Sequence, residues 1–224
     1  MNYAYSFNTI LDRLAQAWGL YGVFANPGFG TTSLMMQITD EMNKRRGGTA
    51  IVVSIELSEE QWRYRMQKAD LSEDRIIISD EYMPTKEHIE RLIEQIKNVS
   101  VVCVDYFELL DQAVQESLRE LAKKYKIPIV VCGKLTRDSG DYDPELRPEL
   151  YSVALFRDAN KVNKVLLFDF LALMHRKHKC DRGIGTARRY DVSNETELII
   201  KRNFHGELGS TYMEWDEDKL KFKF

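Results

Sequence analysis

Three stretches of this chain are unbroken, β-branched, apolar runs: residues 49–55 (T-A-I-V-V-S-I), 99–106 (V-S-V-V-C-V-D-Y) and 127–133 (I-P-I-V-V-C-G). A strand with one face in water alternates apolar and polar residues, and these do not. They are expected to be buried on both faces, which is the situation of parallel strands covered by helices on each side. The segments between them carry helical signals. Residues 7–17 space Phe7, Ile10, Leu11 and Leu14 along one face. A helix from Thr32 to about Lys44 stops at R-R-G-G. Ser58 with Gln61 forms a capping box for a helix over 59–69. Residues 75–79 form another strand, Pro84 and Thr85 open a helix running to about Ile96, and a further helix spans 112–125. Alternating strands and helices imply an α/β fold with a mostly parallel central sheet flanked by helices.

Beyond residue 133 the pattern changes. Residues 134–148 are polar and rich in Asp, Gly and Pro, as a loop is. Residues 149–162 read as a short helix and 165–171 as a strand. Residues 175–189 (H-R-K-H-K-C-D-R-G-I-G-T-A-R-R) read as a basic loop. Residues 197–201, 209–215 and 219–224 read as short antiparallel strands at the end of the sheet. With 224 residues and no repeat, low-complexity tract or linker, the chain is expected to be one domain, residues 1–224.

A net charge of −3 gives no global attraction to nucleic acid, so binding there needs a local basic patch, and 175–189 is the most basic stretch. His175, His178 and Cys180 match no common zinc spacing. No apolar run approaches a membrane span, and the N-terminus lacks the form of a signal peptide. Three cysteines without a framework pattern fit a reducing cytoplasm.

The first strand, residues 21–25, runs into a Gly/Pro turn that opens a helix. Strand, glycine turn and helix start form the layout of a phosphate-binding loop, where backbone N–H groups and the helix N-terminus favour an anion. The loop is Asn26, Pro27, Gly28, Phe29, Gly30, Thr31, Thr32 and Ser33. Against G-x-x-x-x-G-K-[ST], Ala25 stands at the first Gly and Thr31 stands at the Lys.

Together, A-N-P-G-F-G-T-T-S, I-V-V-S-I-E-L-S-E-E-Q-W-R-Y-R-M, V-V-C-V-D-Y, S-L-R-E-L-A-K-K-Y-K-I-P-I-V-V-C-G-K-L-T-R and T-E-L-I-I-K-R-N-F-H-G-E-L-G-S resemble, in order, the C-terminal motor domain of DnaB-type replicative helicases, a RecA-like P-loop NTPase fold. The resemblance runs over about residues 6–224, so the family's N-terminal helical domain is expected to be absent.

The resemblance implies ATP and Mg²⁺ as ligands. Thr32 would be the hydroxyl on Mg²⁺, Asp105 the Walker B acid holding the ion through water, and Glu56 the carboxylate that activates the attacking water. Arg137 matches a family arginine after the sensor strand. The departures lie at positions that handle phosphate charge. Thr31 replaces the lysine on the β- and γ-phosphates, Lys134 replaces the sensor glutamine, and Phe204 replaces the arginine finger, with Arg202 where the family has a lysine. A lost donor in such a site costs on the order of 3 kcal/mol of transition-state stabilisation, and a finger is worth roughly 10³ to 10⁵ in rate. An impaired ATPase site is expected, in a protein of DNA replication or a mobile or phage element. Its implied partners are single-stranded DNA, further copies of itself in a ring or filament, or a helicase. The best-known DNA loop of the family differs here, with Arg157 the one cation near its centre. Two alternatives stand beside this reading. One is an active ATPase or helicase in which Lys134, on a strand beside the loop strand, reaches the phosphates. The other is a non-catalytic module that joins a helicase ring.

Overall fold

The computed structural model describes residues 6–135, 147–150, 164–181, 189–204 and 206–224, with side chains not described for residues 177–192. The elements run α1 (Phe7–Gln16), β1 (Gly19–Ala25), α2 (Thr31–Arg46), β2 (Thr49–Ser54), α3 (Glu59–Lys68), β3 (Ile76–Ser79), α4 (Lys86–Glu94), β4 (Val99–Asp105), α5 (Gln112–Tyr125), β5 (Pro128–Lys134), β6 (Phe170–Asp181), β7 (Arg189–Asn203), β8 (Gly209–Asp216) and β9 (Lys221–Lys223).

Local chemistry sets the helix ends. The Ser6 hydroxyl caps α1 by accepting from Thr9 N–H. Ser58 and Gln61 form the reciprocal box that opens α3. Gly47, in the left-handed region at φ 70°, ends α2 after three cations that complement the helix dipole.

The nine strands form one sheet in the order β3-β2-β4-β5-β1-β6-β7-β8-β9. From β3 to β6 every pairing is parallel, and from β6 to β9 every pairing is antiparallel. The three continuous runs are β2, β4 and β5, interior to the parallel half and buried on both faces. Two apolar layers sandwich them. One packs Phe7, Leu11, Leu34, Met35, Trp62 and Met66 from α1, α2 and α3. The other packs Ile89, Ile93, Leu118 and Leu121 from α4 and α5. Each such side chain, fully buried, contributes roughly 1.5–3 kcal/mol. Trp62 also donates its indole N–H to the Ser54 hydroxyl at 2.7 Å, so its one polar atom is satisfied.

Two sequence expectations change. Residues 165–171 are not a strand: Lys164–Leu167 make a 3₁₀ turn, and β6 begins at Phe170. The basic stretch is not simply a loop, because β6 extends to Asp181 and β7 begins at Arg189. Charged residues are tolerated there because an antiparallel strand needs only one buried face. The helix expected over 149–162 falls almost wholly outside the described residues, as does Arg157.

The far end of the sheet folds back onto the loop. Gln37 of α2 donates to the carbonyl of Phe222 and accepts its N–H, both at 2.8 Å, so a side-chain amide acts as a strand partner for β9.

Candidate functional site

Asn26 to Gly30 join the C-terminal end of β1 to α2. Phe29 N–H closes a turn onto the Asn26 carbonyl at 3.2 Å, and Phe29 is buried as the loop's anchor. Gly28 and Gly30 take φ of 82° and 89°, which non-glycine residues rarely adopt. At Gly30 space is also short: a Cβ would lie 3.1 Å from the Phe222 ring and 3.3 Å from the Trp215 ring. The loop therefore rests on an aromatic pair from β8 and β9. Asn26 is 2 % exposed, and neither polar atom of its amide has a hydrogen-bond partner among the described residues. A buried amide without a protein partner is unusual, and contact with a ligand is one way to satisfy it. Thr31 and Thr32, in the first turn of α2, are both buried; Ser33 is half-buried.

The strand order sets the other candidates in a row. Ala25 pairs with Lys134, Cys132 with Asp105, and Asp105 with Ser54, two residues before Glu56. Asp105 is fully buried. Its Oδ1 accepts from the Cys132 thiol at 2.7 Å, and its Oδ2 has no partner among the described residues. Burial pushes its carboxyl up to about 6, opposed by the Cys132 thiol and nearby Thr32, with the Glu56 carboxylate adding to the rise. The Thr32 hydroxyl meets the Tyr106 phenol at 3.4 Å.

Lys134 is the hub of the row. Its ammonium forms an ion pair with Glu56 and lies 4.3 Å from the centre of the Tyr106 ring. Its backbone N–H donates to Glu108 Oε1 at 2.8 Å. Glu108 Oε2 is buried without a partner among the described residues, and burial raises that carboxyl too. Sequence reasoning missed Tyr106 and Glu108, although both lie within three residues of the end of the acid-ended strand β4. It also missed Arg176, which is buried on β6. Arg137 lies outside the described residues. Phe204 is not near the loop: its N–H bonds the Asp169 carbonyl, and the Asp169 N–H bonds the carbonyl of Leu20 at the start of β1, the end of that strand opposite the loop. A concavity of about 930 Å³ opens there, lined by Trp18, Arg119, Lys123, Leu167 and Phe204 among others.

The donor set fits a phosphate chain with a divalent cation. Thr32 Oγ1 and the unpartnered Asp105 Oδ2 are hard oxygen ligands of the kind Mg²⁺ takes, and the loop N–H groups and Asn26 are ready for phosphate oxygens.

The profile of the DnaB-like helicase C terminal domain matches residues 63–224. The chain belongs to this family. The match begins after the phosphate loop and Glu56, and it includes Lys134, Arg202 and Phe204. A probable replicative DNA helicase of Trieres chinensis is 20% identical over 259 residues, covering 95% of this chain and 55% of that protein. A probable plasmid replicative DNA helicase of Chlamydia muridarum (strain MoPn / Nigg) is 26% identical over 143 residues, covering 59% of this chain and 28% of that protein. The chain thus spans about half the length of the first and just over a quarter of the second. Among solved structures, a protein's excised ATPase domain superposes with a TM-score of 0.73 at 19% identity, covering 96% of this chain and 88% of that one. A DnaB-like replicative helicase, solved with its interactions with primase, gives 0.74 at 16%, covering 96% and 60%. A KaiC-like protein from Pyrococcus horikoshii gives 0.62 at 10%, covering 92% and 89%. These likenesses establish the RecA-like fold. Among the described residues no helix is long and apolar enough to cross a membrane.

Proposed function

We propose that the chain is a DnaB-type motor domain, residues 1–224 acting as one unit, that binds a nucleoside triphosphate with Mg²⁺ and hydrolyses it slowly. The observation that carries the reading is the ion pair between Lys134 and Glu56. The carboxylate placed to orient an attacking water is neutralised by the ammonium that stands where the family has a neutral amide. At the same time the loop has a hydroxyl, Thr31, in place of its cation. In this reading Asn26 and the loop N–H groups hold phosphate oxygens, and Thr32 and Asp105 hold the metal ion. Mg²⁺, when bound, supplies the positive charge that the loop lacks. The domain acts in replication, in the cytoplasm, as part of a ring or filament of its own copies or beside a helicase, in contact with single-stranded DNA.

Calorimetric titration with ATP and Mg²⁺, followed by turnover with and without single-stranded DNA, tests this. Binding with little turnover is expected. Brisk turnover that Glu56→Ala abolishes overturns it. A second reading, in which Lys134 itself grips the phosphates of an active ATPase, is favoured by its register beside Ala25 at the loop. An absence of nucleotide binding leaves only a protein-contact module.

A further inference from the structure

Arg176 stands apart from the other Lys and Arg residues. It is 6 % exposed and is the one buried Lys or Arg among the described residues. Its Nε donates to the Ser193 carbonyl at 3.1 Å, and its guanidinium lies 5.4 Å from the centre of the Trp215 ring. It has no carboxylate partner among the described residues, and Glu217 acts on it only at longer range. Burial pulls its acidity constant below the usual guanidinium range. A charge taken out of water without an anion is expensive, and chains keep one where an anion arrives.

Its location says which anion. β6 runs parallel to β1, with Met174 opposite Ala25, so Arg176 lies two residues beyond the point where β1 enters the loop. Ala172 and Met174 face the layer that holds α2, and by strand alternation Arg176 shares that face. Trp215, beneath the guanidinium, is one of the two rings that would touch a Cβ at Gly30. Lys134 flanks the loop on the other side, but its ammonium is taken by Glu56.

We propose that Arg176 is the cation that meets the phosphate chain of a ligand in the loop, filling the charge role for which Thr31 carries no charge. This rests on the nucleotide-binding reading above and names a ligand-binding residue within it. A guanidinium offers a planar fork of donors to phosphate oxygens, which an ammonium does not. Trp215 lies against the guanidinium, and Gly30 lets the loop approach that same ring.

The test compares wild type, Arg176→Gln and Arg176→Lys, each titrated calorimetrically with ADP and with inorganic pyrophosphate, and each melted without ligand. Arg176→Gln is expected to lose tenfold or more in affinity for both probes while melting no lower than wild type, since it removes an unpaired buried charge. Arg176→Lys is expected to lie between. Equal affinities in wild type and Arg176→Gln overturn the assignment and leave nucleotide binding standing. Loss confined to ADP, with pyrophosphate unchanged, also overturns it, because the contact is then to the nucleoside. If wild type binds neither probe, the nucleotide reading falls and this inference with it. Should Arg176→Gln not fold, pyrophosphate raising the melting temperature of Arg176→Lys as much as that of wild type overturns the fork's role.

Discussion

Replacing Lys134 with glutamine, the residue the family resemblance places there, separates the two roles open to this side chain. The lysine and Glu56 side chains are 33% and 37% exposed, so their ion pair is screened by water. Pairs of that kind contribute roughly 0.2–1 kcal/mol. The stack on Tyr106 adds about 0.5–1 kcal/mol at such exposure, and a glutamine amide recovers part of both. A net loss of about 1 kcal/mol follows, which in a chain of this size lowers the melting temperature by about 2–4 °C. If the ammonium belongs to Glu56, ATP affinity changes little and turnover rises, because the carboxylate is no longer neutralised. If the ammonium belongs to the phosphates, the variant loses a charge-assisted hydrogen bond of about 1.5–3 kcal/mol, or about ten- to over a hundredfold in affinity. Calorimetry with ATP and Mg²⁺ reads the affinity, and phosphate release reads the turnover. A tenfold or greater fall in affinity refutes the pairing argument. A cycle with Glu56→Gln then measures the coupling directly.

Thr31→Lys restores a cation to the loop and is expected to raise ATP affinity at least tenfold in the same titration; no gain means that the loop does not hold phosphates as proposed. Gly30→Ala forces a side chain into φ 89° against Phe222 and should cost about 1–3 kcal/mol in urea unfolding. Burial pushes the Glu197 carboxyl up, but Arg147 and Ser210 outweigh it and hold it below its ordinary 4.5. A depressed acid stabilises the fold above its unfolded value and loses that contribution as pH falls through its folded value. Glu197→Gln should therefore lose less stability than wild type between neutral pH and pH below about 4.5, read by melting temperature across pH.

The parallel half was legible because burial on both faces leaves a crude signal: β2, β4 and β5 appear within a residue or so of their sequence bounds, and α5 at its expected bounds. The capping box at Ser58 was readable from two residues three apart. The antiparallel half was less so. In β6 and β7 one face carries charge, and residues 175–181 look like loop until their partner strand is known. The candidate site was half legible. Thr32, Glu56 and Asp105 could be named because motif and strand end mark them. The Lys134–Glu56 pair joins residues 78 positions apart, which no local pattern encodes. Arg176 was hidden for a different reason: among neighbouring cations, nothing in the sequence tells which one turns inward.

The bond between Gln37 and Phe222 spans 185 positions of chain. Its consequence lies in the order of synthesis. The loop is made early, yet the rings that back Gly30 come from β8 and β9, and so does the strand that Gln37 pairs with. A nascent chain that already displays β1 and α2 has a phosphate loop with nothing behind it. If the chain binds nucleotide as proposed, binding should thus arrive late, as a mark of finished folding. A fusion or truncation at residue 222 should be felt at residue 30, far away in sequence and adjacent in space.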